Sequence, residues 1–233
     1  MIIARRFTGP PPHVSRTQRL AVVLALNLAL VASLVAVGVS AHSLAVLAAG
    51  GDYLLDAAGV GLALLAIRLS AGPASRARPG GYPNATSVAA LVNAGWLLIL
   101  ELIVAGAAVD RLISGTPAVD GLPVLVVSGI AALVMTAGAL ILHGDADDGE
   151  GEGAGEAQER DLSVAAVLLD TIADAAAAAG VAVAGGIILA TGGWYWLDPA
   201  VALAIAVVVA YHAQALIRKV LGRLRSRTAD SNT

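Results

Sequence analysis

Residues 44–67 read LAVLAAGGDYLLDAAGVGLALLAI, an apolar run broken only by two aspartates, Asp52 and Asp56. At 1.5 Å per residue a helix needs about 20 apolar residues to cross the roughly 30 Å hydrocarbon layer. This stretch is long enough, and strand-type alternation is missing from it. Similar runs recur, and the helices are expected at about 20–40, 44–69, 86–112, 122–143, 162–191 and 198–220. The predicted fold is therefore an all-α membrane protein, a six-transmembrane-helix bundle.

Composition agrees with that reading. The 233 residues are 58% hydrophobic and 13% charged, and the mean hydropathy is +0.82. Soluble domains carry about a quarter charged residues. With no cysteine, disulfides, thiolate chemistry and cysteine-zinc motifs are excluded. The segment before helix 1 holds Pro10, Pro11 and Pro12 and reads as a basic cytosolic tail, residues 1–19. Val39-Ser40-Ala41 faintly resembles a signal-peptidase site, but the preceding run is longer than the 7–15 residues of a signal core, so a retained helix is expected.

Charge sets the orientation. Arg5, Arg6, Arg16 and Arg19 precede helix 1, Arg68, Arg76 and Arg78 join helices 2 and 3, and Arg160 precedes helix 5. Arg218, Lys219, Arg223, Arg225 and Arg227 follow helix 6, and Arg111 alone falls on the other side. The positive-inside rule then predicts cytoplasmic termini. Residues 20–220 form the expected transport domain, and 221–233 a short cytosolic tail. Within it, residues 143–161 read as an unstructured acidic cytosolic loop, with Asp145, Asp147, Asp148, Glu150, Glu152, Glu156, Glu159 and Asp161. A solvated loop explains these acids; concentrating cations near a pore mouth is the functional alternative. Trp194, Tyr195 and Trp196 suit an interfacial belt, and Asp198-Pro199 reads as the N-cap and first residue of helix 6.

Five acids lie at membrane depth: Asp52, Asp56, Glu101, Asp170 and Asp174. An aspartate at a helix centre costs about 2.5–3.5 kcal/mol, so four uncompensated ones cost on the order of 10 kcal/mol. No Lys or Arg shares their depth, so a functional explanation is preferred to a structural one. Residues four apart share a helix face, which pairs Asp52 with Asp56 and Asp170 with Asp174. Helices 2 and 5 run in opposite directions, so Asp52 is expected level with Asp174 and Asp56 with Asp170. Small residues at 48–51, Gly59, Gly61 and 175–180 favour close packing. Facing one another, the four aspartates are expected to form an all-oxygen cage for a divalent cation. An empty cage cannot keep every carboxylate ionised, so protons and metal should exchange.

These stretches resemble the cation diffusion facilitator family of divalent-metal transporters. The resemblance covers residues 20–220: Asn27, Asp52-Tyr53-Leu54-Leu55-Asp56 leading to Arg68-Leu69-Ser70, Gly81-Tyr82, and Ala89-Ala90-Leu91-Val92-Asn93-Ala94. It continues through Val119-Asp120-Gly121-Leu122-Pro123, Leu169-Asp170-Thr171-Ile172-Ala173-Asp174 and Gly193-Trp194-Tyr195-Trp196-Leu197-Asp198-Pro199. It implies six helices, a homodimer, and proton-coupled export of zinc or a similar ion through two (Asp or His)-x-x-x-Asp pairs. Asp52 and Asp170 stand where many members have histidine, and Ala49 where many have another aspartate. An all-carboxylate set is a hard one, which keeps cadmium, manganese, iron and cobalt beside zinc as cargo. Ser75 and Arg78 occupy positions of a second metal site in some members, so that site is expected to be missing, as is the family's soluble C-terminal domain.

Glu101 and His212 are candidates for a proton path or an accessory role, each weighed against ordinary packing. His42 and His143 are weaker access ligands, and Asn27 and Asn93 read as interhelical hydrogen-bond glue. No phosphate-binding glycine loop or nucleophile elbow occurs, and no nucleic-acid surface is indicated. The expected protein is not an enzyme. It is a multi-pass protein of a bacterial-type inner or plasma membrane, with the bilayer, a divalent metal and protons as partners. The alternative is a non-transporting metal-binding or partner subunit of a full-length transporter; a weaker one is an exporter of organic cations.

Overall fold

The computed structural model describes the backbone of residues 16–70, 85–147 and 156–230, and the side chains of 28–66, 68, 87–140 and 171–222. The described backbone holds six helices and no strand: α1 (Arg16–Ser40), α2 (Leu44–Ser70), α3 (Ala85–Ser114), α4 (Gly121–Asp147), α5 (Glu156–Thr191) and α6 (Leu197–Asp230). Five contain stretches long and apolar enough to span: Leu44–Ala66, Ser87–Ser114, Gly121–Leu140, Thr171–Thr191 and Leu197–Gly222. Among its described residues α1 adds the shorter apolar stretch Leu28–Ser40.

Helix ends depart from the sequence reading wherever a span runs on beyond its apolar core. α1 begins at Arg16, inside the expected tail, and α6 runs on to Asp230. α4 reaches Asp147 and α5 starts at Glu156, so both enter the segment expected to be an unstructured loop. Glu156-Ala157-Gln158-Glu159-Arg160 are good helix formers, and acids at a helix start complement its dipole. The middle of that loop lies outside the described residues, as do Ser75, Arg78, and Gly81-Tyr82 of the resemblance.

The bundle is turned outward for lipid. Leu102, Ile103, Ile113 and Leu133 are 63–81% exposed, whereas the buried set is mostly alanine and valine. Small residues allow that packing, since helices in lipid associate by close contact rather than by apolar burial. α5 lies chiefly against α4, α3 lies against α6 and α2, and α2 meets α5 only briefly. Gly121 and Gly185 explain the α4–α5 approach. A Cβ on Gly121 would sit 2.6 Å from the Gly185 carbonyl oxygen, and one on Gly185 would sit 2.8 Å from the Leu125 amide nitrogen. With α5 held on α4 in this way, a space remains between α2, α3, α5 and α6.

Candidate functional site

That space is a cavity of about 580 Å³. Asp52 and Asp56 project into it from one face of α2, Asp174 from α5, Asn93 from α3 and His212 from α6. Alanines line much of the rest, including Ala173, Ala176, Ala177 and Ala204, so the polar side chains of the cavity are the three carboxylates with Tyr53, Asn93 and His212. Polar groups inside a bundle are tolerated where they face such a cavity rather than lipid.

α2 and α5 touch beside the aspartates. The Tyr53 hydroxyl donates to the main-chain carbonyl of Asp174 at 3.4 Å, so the Asp52-Tyr53 turn lies across from Asp174. Tyr53 itself is buried. Asp56 and Asp174 are both engaged in interactions of their own. Asp170 lies on α5 one turn before Asp174, but its side chain is outside the described residues, as are those of Asn27 and His143. Among the described residues no three His, Asp or Glu side chains are gathered closely enough to grip one ion. The cavity thus brings Asp52, Asp56, Asp174 and His212 to a common space without closing them into a cage.

Asn93 owes its place to a glycine. A Cβ at Gly59 would fall 2.6 Å from the Asn93 Oδ1, so only glycine lets this amide lie against α2. The sequence reading treats Asn93 as packing glue; the structure makes it a cavity wall. Glu101 is wholly buried one layer away, in side-chain contact with Asp52 and not lining the cavity. His42 is far from this group, in the α1–α2 turn with φ 57°.

A second polar cluster lies at the N-terminus of α2. Ser43 is the N-cap of that helix, its Oγ accepting from the Val46 amide at 3.1 Å. The next two orphan donors are covered in trans. The Leu44 and Ala45 amides donate to the Asp198 carboxylate at 2.7 and 3.3 Å, and the Ser43 hydroxyl donates to it as well. Arg111 lies 3.6 Å from the same carboxylate and donates to the His42 carbonyl at 2.8 Å. The expected role of Asp198 as the N-cap of helix 6 is therefore corrected: α6 begins at Leu197, and Asp198, 1% exposed, caps α2. Ser43 just ahead of an apolar run was a readable cap signal. The partner 155 residues on left none.

Comparison with known proteins follows the same ground. The model of the "Cation efflux transmembrane domain" matches residues 20–224. The chain is 29% identical over 205 residues to zinc transporter ZitB of Yersinia pseudotuberculosis, covering 88% of this chain and 62% of that one. It is 30% identical over 218 residues to the proton-coupled zinc antiporter SLC30A2 of Homo sapiens, covering 91% and 58%. To the cadmium, cobalt and zinc/H(+)-K(+) antiporter of Bacillus velezensis it is 27% identical over 174 residues, covering 74% and 51%. The chain thus spans between about half and 62% of the length of these curated relatives. A match running from the first helix to the last leaves one assignment: the chain belongs to the cation efflux family, whose members are membrane transporters and not enzymes.

Proposed function

We propose that this protein is a secondary transporter that exports a divalent transition metal, zinc first, from the cytosol in exchange for protons. The observation that carries the reading is the shared cavity, which Asp52 and Asp56 of α2 line together with Asp174 of α5 among mostly apolar walls. Asp170, one turn from Asp174 on the same helix, is the fourth ligand of the proposed site. The printed names of the relatives, zinc transporters and antiporters, support the cargo, and cadmium and cobalt appear in one of them. Carboxylate oxygens suit divalent ions, and hard ligands leave manganese and iron as rivals to zinc.

Proton exchange follows from charge. Several carboxylates in one low-dielectric cavity repel, so an empty site takes up protons that an arriving cation expels. Both termini face the cytosol in this proposal, supported by the Lys and Arg distribution. His212, on the α6 wall of the same cavity, is an accessory group, and a homodimer is the proposed assembly.

The test is uptake in proteoliposomes containing only this chain. An imposed pH gradient, acid inside, is expected to drive zinc into the lumen and to alkalinise that lumen as it does so. Zinc uptake that ignored the gradient would remove the coupling. Zinc binding without any flux would favour the partner-subunit alternative.

A further inference from the structure

The meeting of Asn93 with Gly59 has a particular geometry. A Cβ added at Gly59 would lie 2.6 Å from the Asn93 Oδ1 and 2.7 Å from both its Cγ and its Nδ2. Three nearly equal distances place that point over the face of the carboxamide, so the amide lies flat on the glycine. Its edge, which carries both of its polar atoms, is left for the cavity that Asn93 lines. Gly61 and Gly95, on the same two helices, would meet nothing within 4 Å. Glycine is required at 59 by this one side chain.

Packing alone does not ask for such a pair. Glycine weakens a helix interior relative to alanine, and an amide taken into an apolar bundle loses its hydration. Two alanines would join α2 to α3 without either cost. The position of the amide supplies a better reason. Asp52, Asp56 and Gly59 follow one another at four and three residues and so form one stripe on α2. Gly59 is about 4.5 Å further along the axis than Asp56. The amide against it therefore stands past Asp56, away from the α2 N-terminus, which is the cytosolic side in the orientation proposed above. A cation arriving from the cytosol meets Asn93 before it meets the α2 carboxylates. A carbonyl oxygen is a hard ligand for divalent ions, and a neutral one adds no like charge to the aspartates.

We propose that Asn93 is a cargo-binding residue, whose amide oxygen receives the divalent cation on the cytosolic side of Asp56 as the ion sheds water. Gly59 is its positioning residue, the bare backbone that lets the amide reach this place. The proposal rests on the transport reading given above and adds a neutral ligand from α3 to a site otherwise built from α2 and α5.

Zinc uptake under an imposed pH gradient is measured in proteoliposomes for the wild type, Asn93→Ala, Asn93→Asp and the double variant Gly59→Ala/Asn93→Ala, beside thermal midpoints in detergent. Asn93→Ala is expected to raise the KM for zinc at least about tenfold while Vmax stays within about twofold, the pattern of a lost binding contact. Asn93→Asp keeps an oxygen in the same place, and its KM is expected to stay within about threefold of the wild type. In the double variant the new Cβ takes the room that the amide leaves. Its midpoint is expected to be no lower than that of the wild type, and its KM to remain as high as that of Asn93→Ala. A double variant with the wild-type KM would overturn the proposal, because packing would then explain the pair. A wild-type KM in Asn93→Ala would overturn it as well, as would an Asn93→Asp variant no better than Asn93→Ala. Wild-type protein that takes up no zinc would refute the transport reading itself, an outcome distinct from any difference between variants.

Discussion

Alanine at both Asp52 and Asp174 is expected to weaken zinc binding by at least about a hundredfold in calorimetric titration of the purified protein. The two residues face one cavity from α2 and α5, so the double change removes ligands from both helices. Charge-assisted contacts of this kind contribute about 1.5–3 kcal/mol each. Two of them amount to about 3–6 kcal/mol, and every 1.4 kcal/mol is about tenfold in affinity. Stability should move the other way. Two like charges that share one cavity are removed, so the thermal midpoint of the metal-free protein is expected to rise or stay level. A lower midpoint with unchanged zinc affinity would mean that the aspartates are structural.

Asp198→Ala should produce the largest loss of stability in the bundle, although Asp198 lies outside the cavity. Its carboxylate, 1% exposed, receives the Leu44 and Ala45 amides and the Ser43 hydroxyl, with Arg111 3.6 Å away. Alanine strands several donors at once where water and lipid offer little in exchange. Losing an N-cap costs about 0.5–2 kcal/mol, and a further buried donor left without an acceptor costs about 1–3 kcal/mol, a total of about 1.5–5 kcal/mol. Asp198→Asn keeps an acceptor for the amides and should lose markedly less. Thermal unfolding in detergent measures both. If the alanine variant melted with the wild type, the trans cap would contribute nothing. The cluster joins the starts of α2 and α6 to the end of α3, so its failure should also loosen the walls that α2 and α6 give the cavity.

The number of helices was legible because hydrocarbon thickness imposes a length on each apolar run, and residues 44–67 already displayed it. Helix ends were less so. Beyond the membrane nothing apolar marks them, and α4, α5 and α6 continue through polar residues that favour helix. The two aspartate pairs stood out because carboxylates are costly in lipid and their four-residue spacing places them on a face. Which helix stands behind that face was not encoded in any spacing. Glu101 meets Asp52, and Asn93 meets Gly59, because α3 packs along α2, a choice among neighbours that periodicity does not reveal. Asp198 is the same lesson at greater distance. A proline after an aspartate announced a helix start, and the side chain served a different helix.

The central claim is that the α2 and α5 aspartates are ligands of a transported metal. Zinc flux through Asp174→Ala in proteoliposomes, with a pH gradient imposed and the wild type run beside it, tests this most directly. The account predicts flux reduced to the level of protein-free vesicles, with the variant folded and correctly inserted. Flux equal to that of the wild type would contradict it.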